Sequence, residues 1–111
     1  MTADPAGGGL GGGSPEAEAA AAATAHRRAT ICNQRGLHAR AAARFVKAAH
    51  QFAADIWVRK NGTVVSGRSI MGLMMLAAAS GAELQISAAG PDADAAVETL
   101  ARLVECKFDE D

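Results

Sequence analysis

The sequence predicts an α+β fold, a two-layer open-faced sandwich in which one four-stranded antiparallel sheet is covered on one face by three helices. Segments that alternate apolar and polar residues, as strands do, are interspersed with segments whose apolar residues recur every three or four positions, as in helices. Their order along the chain is β-α-β-β-α-β-α. Because every segment has one apolar face, stacking the helices on one side of the sheet buries both layers.

The chain begins with a Gly- and Ala-rich segment, residues 1–24, that we expect to be a flexible tail. Six of the twelve glycines lie within the first 13 residues, and an alanine run follows Pro15. Such a composition buries little apolar area. Residues 16–25 could form a transient helix, but with no side chain larger than alanine we expect it to have nothing to pack against. Residues 25–111 are predicted to form one domain.

The first predicted strand and helix flank a turn that contains Gly36. The strand covers residues 27–33 and the helix residues 39–51. The helix is predicted from apolar residues at i, i+3, i+4 and i+7, which are Ala42, Phe45, Val46 and Ala49. His38 therefore lies at or next to the position that caps the helix.

A hairpin and a short helix follow. Residues 55–60 and 63–66 read as two strands joined by Asn61-Gly62, a strong hairpin turn. Ser69 is a favourable cap for a helix over residues 70–79, which we expect to end at Gly81.

The last predicted elements are a strand over residues 83–88 and a helix over residues 92–107. The strand alternates apolar and polar residues, and Gly90-Pro91-Asp92 precedes the helix. Glu98 can reach Arg102 one turn later. The apolar face of this helix comprises Val97, Leu100, Leu103 and Val104.

Composition excludes several classes of function. The chain has one Trp, three Phe and a net charge of −1, which argues against a nucleic-acid partner. Cys32 and Cys106 lie far apart without metal-site spacing, so we expect free thiols and no metal. No phosphate-binding loop or dinucleotide motif indicates a cofactor. Without a secretory signal or a membrane span, we expect a soluble, cytoplasmic protein.

Charge is distributed unevenly along the chain. Residues 26–68 contain nine Arg or Lys and one acidic residue, whereas residues 69–111 contain two Arg or Lys and eight acidic residues. The basic half carries His38. This segregation suits a phosphate site and acidic protein partners, because complementary fields speed encounter.

The surroundings of His38 indicate a site that accepts phosphate. The first amides of a helix, here those of Ala39 and Arg40, lack intrahelical partners, and the helix end carries roughly half a positive charge. The Arg40 guanidinium can grip phosphate oxygens, and a neutral imidazole is nucleophilic. No acidic residue lies within ten positions of His38, so no local general base is visible. Such a site suits a carrier that holds phosphate without hydrolysing it.

Two stretches resemble one known family. Residues 36–40, Gly-Leu-His-Ala-Arg, resemble the active-site signature of HPr, the phosphocarrier family of the phosphoenolpyruvate-dependent phosphotransferase system, and residues 66–74 resemble its regulatory-serine region. The resemblance covers residues 25–107 and implies the strand order 1-4-2-3. It also implies a monomeric carrier rather than a stand-alone enzyme.

By this resemblance, Nδ1 of His38 accepts a phosphoryl group from enzyme I and passes it to enzyme IIA-type proteins, while Arg40 stabilises the group. The family usually has proline where this chain has Ala41, which we expect to affect site rigidity slightly. The resemblance also implies phosphorylation of Ser69 by an HPr kinase/phosphorylase. Ile70, Met71 and Met74 are candidates for an exposed apolar patch that binds partners.

Two alternatives differ from a relay carrier. A regulatory module could act on a kinase or transcription factor through the helix after Ser69, with the relay vestigial, but it would not need His38 or Arg40. A small-molecule-binding module has no ligand motif in its favour. Within the carrier reading, these residues do not separate a sugar-uptake branch from a nitrogen-type regulatory branch.

Overall fold

The structure is a computed structural model that describes residues 15–109. Within this range, four strands and four helices are followed by a short 3-10 turn at Lys107–Asp109. In chain order the elements are α1 (Pro15–Ala21), β1 (Ala25–Thr30), α2 (Ala39–Ala49), β2 (Asp55–Lys60), β3 (Thr63–Ser66), α3 (Ile70–Met75), β4 (Glu83–Ala89) and α4 (Ala93–Glu105).

The four strands form one sheet in the order β1-β4-β2-β3, and every neighbouring pair is antiparallel. β4 therefore lies between the strands that precede and follow α2. Its register places Ile86 opposite Arg27 of β1 and opposite Val58 of β2. The strand order implied by the family resemblance is confirmed.

One face of the sheet forms the core with α2, α3 and α4. Alternation directs Ile56 and Val58 of β2 to this face, and both are buried. The largest fully buried side chains come from the sheet, from each covering helix, from the residue after β1 and from the turn after α4, and they are Phe45, Phe108, Ile31, Leu73, Leu84, Ile86, Leu100, Val58 and Val104. The predicted fold class is confirmed.

The helix predicted over residues 70–79 is shorter than expected, because α3 ends at Met75. Ala77 has a φ of 52°, outside the helical region. The next carbonyls bind elsewhere: those of Leu76 and Ala77 accept from Lys60 Nζ at 3.1 and 3.2 Å, and that of Ala78 accepts from the Leu37 N–H at 2.9 Å. Long-range hydrogen bonds therefore replace the last predicted turn.

Other boundaries differ by a few residues. β1 lies at Ala25–Thr30 rather than residues 27–33, although Ile31 extends its pairing through a hydrogen bond to the Ala82 carbonyl. α4 begins at Ala93 with Asp92 as its N-cap residue, and the Asp92 carboxylate accepts from the Ala53 N–H rather than from the first turn of the helix. α4 ends at Glu105, two residues before the predicted end. A turn with left-handed backbone angles follows at Lys107–Asp109.

The expectation that the alanine run would have nothing to pack against is wrong. Ala17 and Ala20 of α1 are buried, yet they lie outside the main core. α1 instead lies on the opposite face of the sheet, where Ala20 lines a crevice with Arg59 and Ser87. Because alanine is small, a helix can approach the sheet closely without a large apolar stripe. The boundary between residues 24 and 25 stays a prediction.

Candidate active site at the start of helix α2

His38 forms the N-cap of α2 and turns its ring towards the first turn of that helix. Its backbone is extended, with φ −80° and ψ 179°. Its Nδ1 atom accepts a hydrogen bond of 3.2 Å from the backbone N–H of Arg40. Because an amide N–H can only donate, Nδ1 carries a lone pair in this arrangement. The residue is half-buried, so the ring is held by the protein and still reaches its surface.

The first turn of α2 is electropositive. The amides of Ala39, Arg40 and Ala41 lie where no preceding helical carbonyl can accept from them, and this turn contains no acidic residue. The Arg40 side chain is exposed beside it. A helix end of this kind favours an anion. The structure therefore places the predicted residues His38, Ala39 and Arg40 together around one helix end.

The loop before His38 is tightly held. The Asn33 side chain is buried and donates from Nδ2 to the Gly36 carbonyl at 2.9 Å. Gly36 has a φ of +69°, and a Cβ at this position would lie 2.5 Å from the Ala78 carbonyl oxygen. The adjacent Leu37 N–H donates to that same oxygen. The chain segment after α3 thus fixes the position of the His38 loop.

Ser69 forms the N-cap of α3, as predicted, and its Oγ accepts from the Gly72 N–H at 2.9 Å. The preceding residue, Arg68, binds three carbonyls at the end of α2 and in the loop after it, those of Ala49, Phe52 and Ala54. Ser69 itself is partly exposed. The serine and the His38 loop are thus both attached to the structure around α2.

The exposed side of α3 is apolar. Ile70, Met71 and Met74 are 42%, 74% and 44% exposed, and Met75 is 76% exposed. Leu73 points inward and is fully buried. The predicted exposure is therefore observed, and Met75 extends the surface beyond the three predicted residues. We call these four exposed residues the α3 patch.

Two structural roles were missed from the sequence. His26, expected to be solvated, lies 2.9 Å from both Ser87 Oγ and the Ala23 carbonyl through its two ring nitrogens. Lys60, read only as a strand residue, holds the segment after α3 that supports the His38 loop. The contacts of His26 with Ser87 and of Lys60 with Leu76 and Ala77 have no signal in the local sequence, because these partners are distant along the chain.

Charged contacts also connect β1 to α4. Glu98 pairs with Arg102 one turn later, as predicted, and with Arg27 of β1. The hydrogen bonds from Arg27 and then Arg102 hold the pKa of the Glu98 carboxyl below its usual value. Among residues 15–109, no three His, Cys, Asp or Glu side chains are placed to hold a metal ion. No helix in the same range is long and apolar enough to cross a membrane.

Comparisons with known proteins match this arrangement. The family described as "PTS HPr component phosphorylation site" matches residues 25–106. The phosphocarrier protein HPr of Neisseria meningitidis is 46% identical over 80 residues, covering 72% of this chain and 90% of that protein. The phosphocarrier protein NPr of Shewanella violacea is 42% identical over 84 residues, covering 76% and 92%. The solved structure of HPr-C-His from Thermoanaerobacter tengcongensis has a TM-score of 0.75 at 41% identity, covering 79% of this chain and 99% of that one.

The family match spans the complete sheet and the three helices that cover its core face. α1 lies before the matched range. Relatives named HPr and NPr both align over almost their whole length. The chain belongs to the HPr family of phosphocarrier proteins of the phosphotransferase system.

Proposed function

We propose that this protein carries a phosphoryl group on Nδ1 of His38, accepting it from enzyme I and passing it to enzyme IIA-type proteins. The observation that supports this proposal is the hydrogen bond from the Arg40 N–H to Nδ1. It directs the nucleophilic lone pair to the helix end where a phosphoryl group would be stabilised. In this relay the protein acts in the cytoplasm as a monomer, on either the sugar or the nitrogen branch.

The transfer forms one bond and breaks one. The Nδ1 lone pair attacks the phosphorus of the donor's phosphoryl group, and the bond to the donor's leaving atom breaks, with its electron pair remaining on the donor. The Arg40 N–H then turns from Nδ1 to a phosphoryl oxygen, together with the amides of Ala39 and Ala41 in the first turn. The step reverses towards the acceptor, which takes the phosphoryl group and returns the lone pair to Nδ1.

The Arg40 side chain adds positive charge from the solvent side of this group. A guanidinium donates paired hydrogen bonds to phosphate oxygens, which an ammonium cannot reproduce with the same geometry. Ala41 is fully buried under the helix start. With proline absent at this position, the packing of Ala41 and the loop contacts at Gly36 supply the rigidity that we propose for the site.

Partner proteins would dock on the α3 patch and the basic surface around Arg40. Exposed methionines adapt to differently shaped partners, and an apolar surface of this kind is typical of protein interfaces. Ser69 stands at the edge of this surface, as the cap of α3. A phosphate on Ser69 would add about two negative charges there and repel acidic partners. We propose this as the route by which an HPr kinase/phosphorylase would damp the relay.

The relay is tested by incubating the protein with phosphoenolpyruvate and purified enzyme I, followed by intact mass measurement and acid treatment. We expect an acid-labile gain of one phosphate, which His38→Ala abolishes. His50→Ala is the matched control, because His50 is an exposed histidine at the other end of the same helix. Arg40→Ala should slow the gain by about a hundredfold and Arg40→Lys by less.

Two results would contradict the relay. Absence of any mass gain with a competent enzyme I would favour a regulatory module that acts through the α3 patch, since that function needs no reactive imidazole. A gain that survives His38→Ala would place the phosphate on another residue.

Acid-stable phosphate after treatment with ATP and the kinase, absent in Ser69→Ala, tests the serine separately.

A further inference from the structure

The face of the sheet opposite the three covering helices contains a polar depression of about 510 Å³. Its lining includes Arg28 of β1, Gln85 and Glu83 at the start of β4, and Arg59 and Lys60 at the end of β2. None of these residues belongs to the His38 loop or to α3. The depression therefore lies apart from His38 and α3, although Lys60 connects its rim to the segment after α3 that supports the His38 loop.

The two arginines occupy the same cross-strand row. Arg28 is paired with Gln85, and Gln85 is paired on its other side with Arg59. Strands lie about 4.8 Å apart, so the backbones of the two arginines are separated by about 10 Å. Their side chains extend from the same face of the sheet and flank the Gln85 amide. Two guanidinium groups at this spacing can converge on one phosphate group.

The positive charge of this row is not neutralised within the protein. Among residues 15–109, no carboxylate lies within ion-pairing distance of Arg28 or Arg59. The Nε atom of Arg59 is buried without a hydrogen-bond partner within residues 15–109, and the same side chain also borders the crevice lined by Ala20 and Ala21 of α1. A buried donor on a charged group is costly when unpaired. A bound anion at Arg59 would offset that cost.

The remaining lining groups distinguish a phosphate ester from phosphate alone. Lys60 is fixed on the Leu76 and Ala77 carbonyls and contributes charge only. Glu83 is the single carboxylate of the lining, which leaves two of its three positive charges uncompensated. Glu83 would repel an anion placed against it but accept hydrogen bonds from hydroxyl groups. The side-chain amides of Gln85 and Asn61 can also form hydrogen bonds with the hydroxyl groups of such a ligand.

We propose that this depression binds a small phosphate ester that carries hydroxyl groups. The phosphate group lies between Arg28 and Arg59, and the hydroxyl groups face Glu83 and the amides. The volume falls within the range of small-molecule sites. A site of this kind would let the carrier respond to a phosphorylated metabolite without contact with His38.

Glucose 6-phosphate is a suitable probe, since it combines one phosphate with several hydroxyl groups. Titration of the ¹⁵N-labelled full chain should shift the amide signals of Arg28, Arg59 and Gln85 in a saturable way. Arg59→Gln and Arg28→Gln should each weaken binding by about tenfold, the effect of losing a charge-assisted hydrogen bond. Arg59→Lys keeps the charge but lacks Nε, and should fall between wild type and Arg59→Gln. The matched control Arg102→Gln removes an exposed guanidinium from α4 and should change nothing.

Several outcomes would overturn the proposal. Shifts confined to the amide signals of residues 38–41 would assign the ligand to the relay site. In that case His38→Ala should abolish the shifts. Absence of saturable shifts up to about 10 mM ligand would rule out a specific site. If inorganic phosphate binds as tightly as glucose 6-phosphate, Glu83 and the amides do not contribute to recognition. If glucose binds as tightly as glucose 6-phosphate, the arginines do not contribute. Dispersed amide signals in each variant establish that it is folded.

Discussion

The Arg40 N–H donates to Nδ1 of His38 over 3.2 Å, and this bond distinguishes the two nitrogens of the imidazole. Nδ1 faces the electropositive helix end with its lone pair, so we expect the phosphoryl group to form its bond there and Nε2 to keep its proton. Proton–nitrogen correlation spectra and ³¹P spectra of the phosphorylated protein identify the modified nitrogen. A phosphate on Nε2 would show that the ring leaves the N-cap geometry during transfer.

Gly36 and Ala78 connect the reactive loop to the segment after α3. An alanine at position 36 would have to adopt a φ of +69° with its Cβ 2.5 Å from the Ala78 carbonyl oxygen. Gly36→Ala should lower the free energy of unfolding by about 1–3 kcal/mol and slow phosphorylation, because the loop must move. Denaturant unfolding and the enzyme I assay measure the two effects.

Gly62→Ala provides the comparison for Gly36→Ala, since nothing lies within 4 Å of a Cβ at Gly62. It should leave phosphorylation unchanged. If Gly36→Ala transfers phosphate at the wild-type rate despite its lower stability, the position of the His38 loop is not limiting for the reaction.

The features that could be predicted from sequence are those determined by neighbouring residues. The amphipathic period of α2 and the capping chemistry at Ser69 act over one or two turns, so both elements were located from sequence alone. The N-cap position of His38 followed from the same local signal. The same short-range rules predict that His38 and Arg40 lie at one helix end.

The features that could not be predicted depend on contacts between distant residues. α3 ends early because Lys60 and Leu37 use the carbonyls beyond it. The order of strands came from family resemblance, since antiparallel pairing of β1 with β4 has no local signature. The packing of α1 on the far face of the sheet was not predicted, because an alanine face offers little apolar area. Close approach of the helix to the sheet nevertheless buries Ala17 and Ala20.

Substitutions at Ser69 distinguish the capping role of its side chain from the effect of a negative charge at this position. Ser69→Ala removes the bond to the Gly72 N–H and should cost about 1 kcal/mol of stability. Ser69→Asn and Ser69→Asp both retain a capping oxygen, but only aspartate adds a negative charge. We therefore expect enzyme I to phosphorylate the asparagine variant normally and the aspartate variant more slowly. Equal rates for these two variants would contradict electrostatic control at this position.

Glu98 should make stability depend on pH. Hydrogen bonds from Arg27 and Arg102 lower the pKa of its carboxyl in the folded protein, so the unfolded chain binds a proton more readily. The contribution of Glu98 is therefore fully present above its unfolded pKa and is lost as pH falls through the folded pKa. The difference in stability between wild type and Glu98→Gln should be largest near neutral pH and shrink in acid.

Denaturant unfolding of both proteins across this pH range measures the difference. Glu105→Gln is the control, because Glu105 has no ion pair among residues 15–109, and its difference from wild type should stay flat. A flat profile for Glu98→Gln as well would show that the Arg27–Glu98–Arg102 contacts do not persist in solution.

Removal of residues 1–24 tests both the predicted domain boundary and the packing of α1. The shortened chain should fold, since the core lies on the other face of the sheet, but lose about 1–2 kcal/mol with the buried Ala17 and Ala20. Trp57, the single tryptophan, is paired with Ser87 beside the α1 crevice. Its fluorescence should therefore shift to longer wavelength.

Two substitutions in the full chain test whether the buried face of α1 packs on the sheet. Ala17→Glu places a charge at a buried position of α1 and should reproduce the Trp57 shift, whereas Ala22→Glu lies at an exposed position just after the helix and should not. If the shortened chain is unfolded, the domain extends into residues 1–24. If the shortened chain folds with unchanged stability and Trp57 emission, and Ala17→Glu also behaves like wild type in both measurements, α1 does not rest on the sheet in solution.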